Sequence, residues 1–307
     1  VGSFGSLYDI AEYTKGYTHP LLVQSTDSVG TKVSIASMLK RFDSIGHDIV
    51  AHCANDILAL GAKPITFLDY IAASTINPDI IEDIVKGVAL ACKDAHIALV
   101  GGEIAEMPGV YQQDEFDLVG TIAGVVDKHK VINGQTIEYG DIILGLLSTG
   151  LHTNGYSLAR KILFDDAGYT IDSHLTELNR PLGEILLEPH RNYTNTVHAL
   201  LDAEIFIKGI AHFTGGGFIE NTPRILPTNC AAKFKKGSWP MLPLFEVIQR
   251  LGKVTEHEMY RTFNMGIGMV LIVDPKNADR VHDFVEKDIY TIGSIVPCVE
   301  GTKAMLV

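Results

Sequence analysis

Strand-like and helix-like runs alternate along this chain from Pro20, and that alternation limits the fold more than any other feature of the sequence. Each apolar, β-prone run leads through a polar turn into a helical run. The predicted elements of the first half are a strand Leu21 to Ser25, a helix through Ala51, a strand Ile65 to Ala72, a helix Pro78 to His96, and strands Ile97 to Val100 and Leu118 to Val126. This order predicts an α/β (α+β) fold.

Turn-forming residues cluster at Lys128-His129-Lys130, Asn133-Gly134 and Tyr139-Gly140-Asp141. At 307 residues the chain is long enough for two domains, so we place a boundary there and predict domains 1–135 and 136–307. The predicted elements of the second half are a strand Ile142 to Ser148, a helix Tyr156 to Phe164, helical stretches through Leu200 and a strand Ile267 to Val273.

The chain is acidic, with 37 Asp and Glu residues against 25 Lys and Arg residues and a formal net charge of −12. This charge repels nucleic acid phosphates and anionic membranes, and no basic run offsets it. The apolar stretches are shorter than the ~20 residues of a membrane helix, and Val1 to Gly5 lack the features of a secretory signal. We expect a cytoplasmic protein without nucleic acid or membrane partners. The scattered cysteines predict buried, reduced thiols: Cys53, Cys92, Cys230 and Cys298.

Asp27 follows an apolar run and precedes Gly30, Thr31 and Lys32. A P-loop is excluded because its glycine is followed directly by lysine, whereas Thr31 intervenes here. Two interpretations of Asp27 stay open. Its carboxylate is either part of a phosphate or Mg²⁺ site or a cap of the following helix.

Asp56 lies in a predicted helix, His47 to Leu60, on the same face as Ile49 and Leu60. A carboxylate on an apolar face needs a cation, which favours a metal ligand over a structural ion pair or a helix-end hydrogen bond. The neighbouring Asn55 adds an amide for a water or a phosphate oxygen.

Glu103 follows a third strand, directly after Gly101 and Gly102. Glu106, on the same segment, is either a lesser contributor or an ordinary solvated charge. Carboxylate oxygens at strand ends and on a helix suit Mg²⁺ bound to a nucleoside triphosphate. Three carboxylates are therefore predicted to converge on Mg²⁺: Asp27, Asp56 and Glu103.

Three segments of the second half carry polar groups beside predicted strands. Ser148 to Gly155 offers hydroxyls and backbone N–H groups to an anion, and its His152 is either a proton-transfer group or a hydrogen-bonded turn residue. Gly215 to Gly217 lose much conformational entropy on folding, so three consecutive glycines are seldom kept for packing alone. At the start of a helix they resemble a phosphate or substrate cradle. His257 to Met269 sets charged and amide side chains against a buried strand, which predicts a site.

Six segments resemble the phosphoribosylformylglycinamidine cyclo-ligase (aminoimidazole ribonucleotide synthetase) family in order and approximate spacing. They are TDSVGTK, CANDILALGAKP, VGGEIAEMPG, STGLHTNGYSLARK, HFTGGGFIENTPR and HEMYRTFNMGIGM, and they cover nearly the whole chain. Related ATP-dependent enzymes share the acidic and glycine elements of the first three, and the last three specify the cyclo-ligase.

The resemblance implies ATP-dependent ring closure in purine biosynthesis, in which formylglycinamidine ribonucleotide and ATP give aminoimidazole ribonucleotide, ADP and phosphate. ATP would phosphorylate the formyl oxygen, and the amidine nitrogen would then attack that carbon. The resemblance also implies a homodimer, in which the N-terminal half binds ATP and metal and contributes strands to a shared β-barrel. The C-terminal α/β domain would bind substrate.

The same resemblance implies roles for individual residues. Those for ATP and Mg²⁺ are Asp27, Asp56 and Glu103 as metal ligands and Gly30, Thr31, Lys32, Asn55, Gly101 and Gly102 around the nucleotide. Those for substrate are Asn154, Thr214, Gly215, Gly216, Gly217 and Asn264. Those for catalysis are His152, Asp56 and Arg261.

Three residues depart from the family pattern: Ser28 stands where glycine is usual, Ile104 where threonine is usual and Thr153 where serine is usual. The family usually also has a glycine-rich, lysine-bearing segment, upstream of the position of Val1, that folds over ATP. Its absence here is the main argument for a competing function, that of a non-catalytic nucleotide-binding protein. Three further functions stay open, all of them those of ATP-dependent relatives: thiamine monophosphate kinase, selenophosphate synthetase and the synthetase half of the preceding step of purine biosynthesis.

Overall fold

The structure is a computed structural model that describes residues 4–113 and 115–307. Residues 1–3, on which part of the expectation about a secretory signal depends, lie outside this description. The chain forms two compact units. The first comprises Val1–Val131 and Gly183–Thr194, and the second comprises Ile132–Leu182 and Asn195–Val307. The segment Gly183–Thr194 therefore belongs to the first unit, although it lies within the second half of the sequence.

The first unit contains a four-stranded sheet with helices on one face. Its strands are β1 (Pro20–Ser28), β2 (Lys63–Ala73), β3 (Ala98–Glu106) and β4 (Phe116–Asp127), in the spatial order β1-β4-β2-β3. Strands β2 and β3 are parallel, and the other neighbours are antiparallel. The helices are α1 (Val33–Leu39), α2 (Asp43–Leu58) and α3 (Pro78–Asp94).

Alternation of side chains along the strands builds the core of this unit. Phe67 and Ile71 of β2 and Ile122 of β4 point to the face that α2 covers, and all three are fully buried. Helices α2 and α3 pack very closely because a glycine lies at the crossing point on each. A Cβ added at Gly46 would lie 2.4 Å from a backbone oxygen of α3, and one added at Gly87 would lie 1.9 Å from a backbone oxygen of α2.

The second unit contains a six-stranded mixed sheet. Its strands are β5 (Ile142–Leu147), β6 (Ile207–His212), β7 (Cys230–Phe234), β8 (Ile267–Val273), β9 (Ile289–Pro297) and β10 (Ala304–Leu306), in the order β10-β7-β9-β5-β8-β6. The helices of the second half are α4 (Tyr156–Arg160), which continues as a π-helical stretch over Lys161–Asp166, α5 (Leu182–Leu186), α6 (Thr194–Asp202), α7 (Gly217–Asn221), α8 (Pro243–Gly252), α9 (Glu256–Thr262) and α10 (Pro275–Val285).

The mixed α/β class is confirmed, and most predicted elements lie within two or three residues of the observed bounds. The single helix predicted through Ala51 is wrong, because Lys40 adopts a left-handed conformation (φ 52°) that ends α1 before α2 begins. Strands β6, β7, β9 and β10 were not predicted. Among the described residues, no helix is long and apolar enough to cross a membrane.

Candidate functional site

A pair of carboxyl groups, Asp27 at the end of β1 and Asp56 near the end of α2, lies at the helix-covered face of the first sheet. Both residues are half-buried, and their carboxyl groups hydrogen bond to each other. Ser25 Oγ donates to Asp56 at 3.1 Å. Burial raises the pKa of Asp27 to about 7, and the hydrogen bond with Asp56 and the charge of Asp56 act in the same direction.

The capping interpretation of Asp27 is wrong. Asp27 lies inside β1, and neither the 3₁₀ turn Gly30–Lys32 nor α1 has a side-chain cap at its start. The prediction that Leu60 shares a buried helix face with Asp56 is also wrong, because α2 ends at Leu58 and Leu60 is exposed. Ile49, the other residue of that predicted face, is fully buried.

His52 lies beside the carboxyl pair, and no sequence motif identified it. Its Nε2 is 3.6 Å from Asp27 Oδ1, and its ring is almost completely buried. His52 precedes Asp56 by four residues on α2, so the two side chains share a helix face. That four-residue spacing is a sequence signal that predicts His52 close to Asp56.

Glu103 does not lie with Asp27 and Asp56 within this chain. Strands β1 and β3 are the two opposite edges of the sheet, roughly 14 Å apart at three strand spacings. Glu103 also pairs with Tyr70, whereas Asp69 shares a cross-strand row with Asp27 through Gly120 of β4. Neighbouring residues of a strand point to opposite faces, so Glu103 points away from the face that carries Asp27.

Asp69 is a further carboxyl group on the face that carries Asp27, and it was not predicted from the sequence. It is 9% exposed, lies on the helix-covered face of β2 and has its pKa raised by burial. Gly102, its partner on β3, leaves room for it, because a Cβ at Gly102 would lie 2.5 Å from Asp69 Oδ1. Asp69 is two residues from Phe67 and two residues from Ile71, which are both apolar and buried. This spacing along a strand is the sequence signal that Asp69 points inward.

Lys32 and Asn55, both predicted near the nucleotide, are fully buried and bonded to protein groups. Lys32 Nζ is 2.8 Å from Asp48 Oδ1 and donates to the Glu188 carbonyl at 2.6 Å. Asn55 Nδ2 donates to the Arg191 carbonyl at 2.9 Å. Both side chains therefore hold the segment Gly183–Thr194 on the first unit, and a nucleotide contact for either stays a prediction.

The remaining predicted nucleotide residues lie at two edges of this unit. Gly30 has a positive φ of 65° and begins the 3₁₀ turn, and Thr31 is exposed. Gly101 and Gly102 lie on the edge strand β3, where Gly102 is exposed.

The carboxyl pair fits a divalent cation. Burial, the hydrogen bond with Asp56 and the charge of Asp56 all raise the pKa of Asp27, and a cation between the two carboxyl groups would favour the ionised form of both. Their oxygens are hard ligands of the kind that Mg²⁺ accepts, together with waters and phosphate oxygens.

In the second unit, the glycine turn Gly215–Gly217 lies against α9. Gly216 and Gly217 have positive φ values of 102° and 50°. A Cβ at Gly217 would lie 2.2 Å from the Tyr260 carbonyl oxygen, so this glycine has a packing requirement of its own. Asn221 Nδ2 donates to the carbonyls of Gly217 at 3.0 Å and Thr214 at 3.3 Å, which fixes the turn from inside.

Asn264 joins two polar segments of the second unit. Its Nδ2 donates to the Gly150 carbonyl at 2.8 Å, and its Oδ1 accepts from Ser148 Oγ at 3.0 Å and from the Gly266 backbone at 2.9 Å. Asn264 is therefore held inside the structure, where it fixes the loop after β5. Asn154, farther along that loop, brings its Oδ1 to 3.4 Å from the position of a Cβ on Gly215.

His152 and Arg261, both predicted to be catalytic, occupy different surroundings. His152 is buried with a positive φ of 62°, and its Nε2 accepts from the Thr149 backbone at 3.4 Å. Arg261 is about half exposed on α9 and pairs with Glu220 at 2.7 Å and with Glu258 at 3.3 Å. Since Glu220 belongs to α7, this ion pair joins α9 to the glycine turn.

Both halves of the chain match families of known proteins. Residues 14–126 match the family described as AIR synthase related protein, N-terminal domain, and residues 138–302 match AIR synthase related protein, C-terminal domain. Phosphoribosylformylglycinamidine cyclo-ligase from Bifidobacterium animalis subsp. lactis (strain AD011) is 47% identical over 300 residues, covering 96% of this chain and 86% of that protein. This chain belongs to the phosphoribosylformylglycinamidine cyclo-ligase family.

A second cyclo-ligase, from Thermoanaerobacter pseudethanolicus (strain ATCC 33223 / 39E), is 47% identical over 304 residues, covering 98% of this chain and 89% of that protein. Among solved structures, hydrogenase maturation protein HypE in complex with ATP has a TM-score of 0.68 at 17% identity, covering 93% of this chain and 81% of HypE. At that identity the likeness concerns the fold alone.

The three departures from the cyclo-ligase pattern lie outside the carboxyl pair. Ser28 is the last residue of β1 and is half-buried. Ile104 is 46% exposed on the edge strand β3, and Thr153 is buried in the loop after β5. None of them replaces a predicted metal ligand of the cyclo-ligase site.

Proposed function

We propose that this chain catalyses the ATP-dependent ring closure of formylglycinamidine ribonucleotide to aminoimidazole ribonucleotide, with release of ADP and phosphate, in purine biosynthesis. The observation that carries this proposal is 47% identity to named cyclo-ligases over nearly the full chain. Two sites support this proposal. The carboxyl pair of the first unit suits a divalent cation for ATP, and the glycine turn of the second unit suits substrate binding.

In this proposal, Asp27 and Asp56 hold a divalent cation, which when bound supplies charge neutralisation for the phosphates of ATP. Ser25 orients the Asp56 carboxylate through its 3.1 Å hydrogen bond. Lys32 and Asn55 have an indirect role in this proposal. Their hydrogen bonds hold the segment Gly183–Thr194 on the helices of the first unit. Gly30, Thr31, Gly101 and Gly102 stay predicted contacts of the nucleotide, whereas Glu103 points away from the carboxyl pair and is left out of this metal site.

The glycine turn and the loop after β5 are proposed to bind substrate. Gly215 is exposed and Thr214 half-exposed, so their polar groups are accessible to a ligand, and Asn154 reaches the same turn. Asn264 and Arg261 orient these segments through their bonds to Gly150 and Glu220. His152 is proposed to transfer a proton or polarise a carbonyl, a role that its imidazole could perform near neutral pH.

We also propose a homodimer in which the first sheet of each chain contributes to a β-barrel. The face opposite the helices carries exposed apolar side chains, Leu22 at 65% and Leu68 at 42%. Light scattering of the purified protein should give twice the mass of one chain. Leu22→Asp with Leu68→Asp should give single chains, while Phe284→Asp, at an exposed apolar residue of α10, should leave the dimer intact. A single-chain mass for the unaltered protein at micromolar concentrations would contradict the dimer.

ADP release tests the function directly. Purified protein with Mg²⁺ and ATP should release ADP only when formylglycinamidine ribonucleotide is added, with an equal amount of aminoimidazole product detected by colour. ADP formed only with thiamine monophosphate, or ATP consumed with release of AMP only when selenide is added, would move the function to those relatives. Nucleotide binding without ADP release for any substrate would identify a non-catalytic binding protein.

A further inference from the structure

An imidazole nitrogen lies within ligand distance of the carboxyl pair. His52 Nε2 is 3.6 Å from Asp27 Oδ1, which is longer than a hydrogen bond. One nitrogen of His52 and one carboxylate oxygen of Asp56 are within 4.8 Å of each other. Two ligand atoms that each lie about 2.1 Å from one metal ion are roughly 3.0–3.4 Å apart. The separation between His52 and Asp27 is therefore close to that of two ligands on one ion.

The surrounding structure holds the His52 ring in place. His52 is 5% exposed, and its ring centroid is 5.5 Å from that of His190. His190 is fixed in turn, because its backbone N–H donates to Asp48 Oδ1 at 2.6 Å and its Nε2 is 3.2 Å from Asn55 Nδ2. An imidazole that packing already orients loses little further entropy when it binds an ion.

The nature of these ligands decides which metal they suit. Mg²⁺ prefers oxygen ligands and keeps several waters, whereas divalent ions of the first transition series, including Mn²⁺ and Co²⁺, accept imidazole nitrogen more readily. We propose that His52 is a metal ligand together with Asp27 and Asp56, and that the site therefore binds Mn²⁺ and Co²⁺ in preference to Mg²⁺. This inference depends on the proposed function only for the presence of a divalent cation at the carboxyl pair.

Pulsed electron paramagnetic resonance of bound Mn²⁺ tests the inference without activity as the readout. The full chain, free of nucleotide and loaded with Mn²⁺ alone, should show modulation from a directly bound imidazole ¹⁴N. His52→Gln should remove that modulation and weaken Mn²⁺ binding by about 10-fold or more, with Mg²⁺ binding changed by less than about 3-fold. His19→Gln, which removes an exposed imidazole before β1, should change neither quantity.

Asp56→Asn identifies which bound Mn²⁺ belongs to this site. Mn²⁺ that is lost in Asp56→Asn but shows no ¹⁴N modulation in the unaltered protein would overturn the role of His52 and leave the proposed function standing. If Asp56→Asn has no effect on Mn²⁺ binding, the carboxyl pair holds no metal, and both proposals for this site fail. The spectrum of the unaltered protein decides the role of His52 even if His52→Gln folds poorly.

Discussion

Asp56→Asn should reduce substrate-dependent ADP release by about 100-fold or more while the fold is retained. The amide has nearly the shape of the carboxylate and can still accept the hydrogen bond from Ser25 Oγ, so packing around α2 should change little. What it loses is the negative charge, which leaves Asp27 as the other member of the pair without its partner ligand. Losses of this size are typical when charge stabilisation of a transition state is removed.

Steady-state rates over a range of Mg²⁺ concentrations measure this effect, and circular dichroism verifies the fold. The matched control is Asp166→Asn, which removes a carboxylate that pairs with Lys161 at an exposed position of the second unit. That variant should retain the rate of the unaltered protein, since exposed ion pairs contribute little. Turnover within a few-fold for Asp56→Asn would exclude the carboxyl pair as the metal site.

The elements that carry the site were predictable because their signals are local. Strand β8 is a continuous apolar run and is buried along its whole length, as such runs predict. Asp56 and His52 share a face of α2 through four-residue spacing, which can be obtained from sequence alone. Local periodicity therefore predicts which side chains share one element.

The direction of Glu103 was not predictable for a specific physical reason. The pairing of β2 with β3 shifts register between Phe67 and Leu68, so that Leu99 and Gly101 become successive partners and Val100 is passed over. One extra residue moves every later side chain of the strand to the other face. Gly101 and Gly102 are typical of a bulge, but glycines alone do not determine whether an extra residue is inserted or where. The sequence alone therefore could not show that Glu103 points away from Asp27.

The burial of Lys32 and Asn55 was not predictable from the sequence either, because it depends on a segment far away in the chain. Glu188 and Arg191 supply the carbonyls that these side chains bind, and more than 130 residues separate each pair. A polar residue that follows a strand has the same local pattern whether it contacts a ligand or a distant loop. The structure is needed to distinguish the two.

Lys32→Met should destabilise the first unit by about 3–5 kcal/mol, because it leaves the Asp48 carboxylate fully buried without its counter-ion. Hydrogen exchange at the amides of α2 measures this loss. Fluorescence of Trp239, the only tryptophan, reports on the second unit. Lys161→Met, in the exposed pair with Asp166, should change the stability by less than about 1 kcal/mol.

A double variant distinguishes a structural role of Lys32 from a nucleotide contact. Lys32→Met with Asp48→Leu removes both buried charges, so part of the lost stability should return, as replacement of a buried ion pair by apolar groups is often neutral. Full recovery is not expected, because the His190 backbone N–H loses its acceptor, Asp48 Oδ1. If Lys32 instead contacts ATP, Lys32→Met should stay stable and raise the KM for ATP, and Asp48→Leu should not correct that defect. The 2.6 Å bond from Lys32 to the Glu188 carbonyl favours the first outcome, since that bond and the Asp48 pair occupy the ammonium group inside the unit.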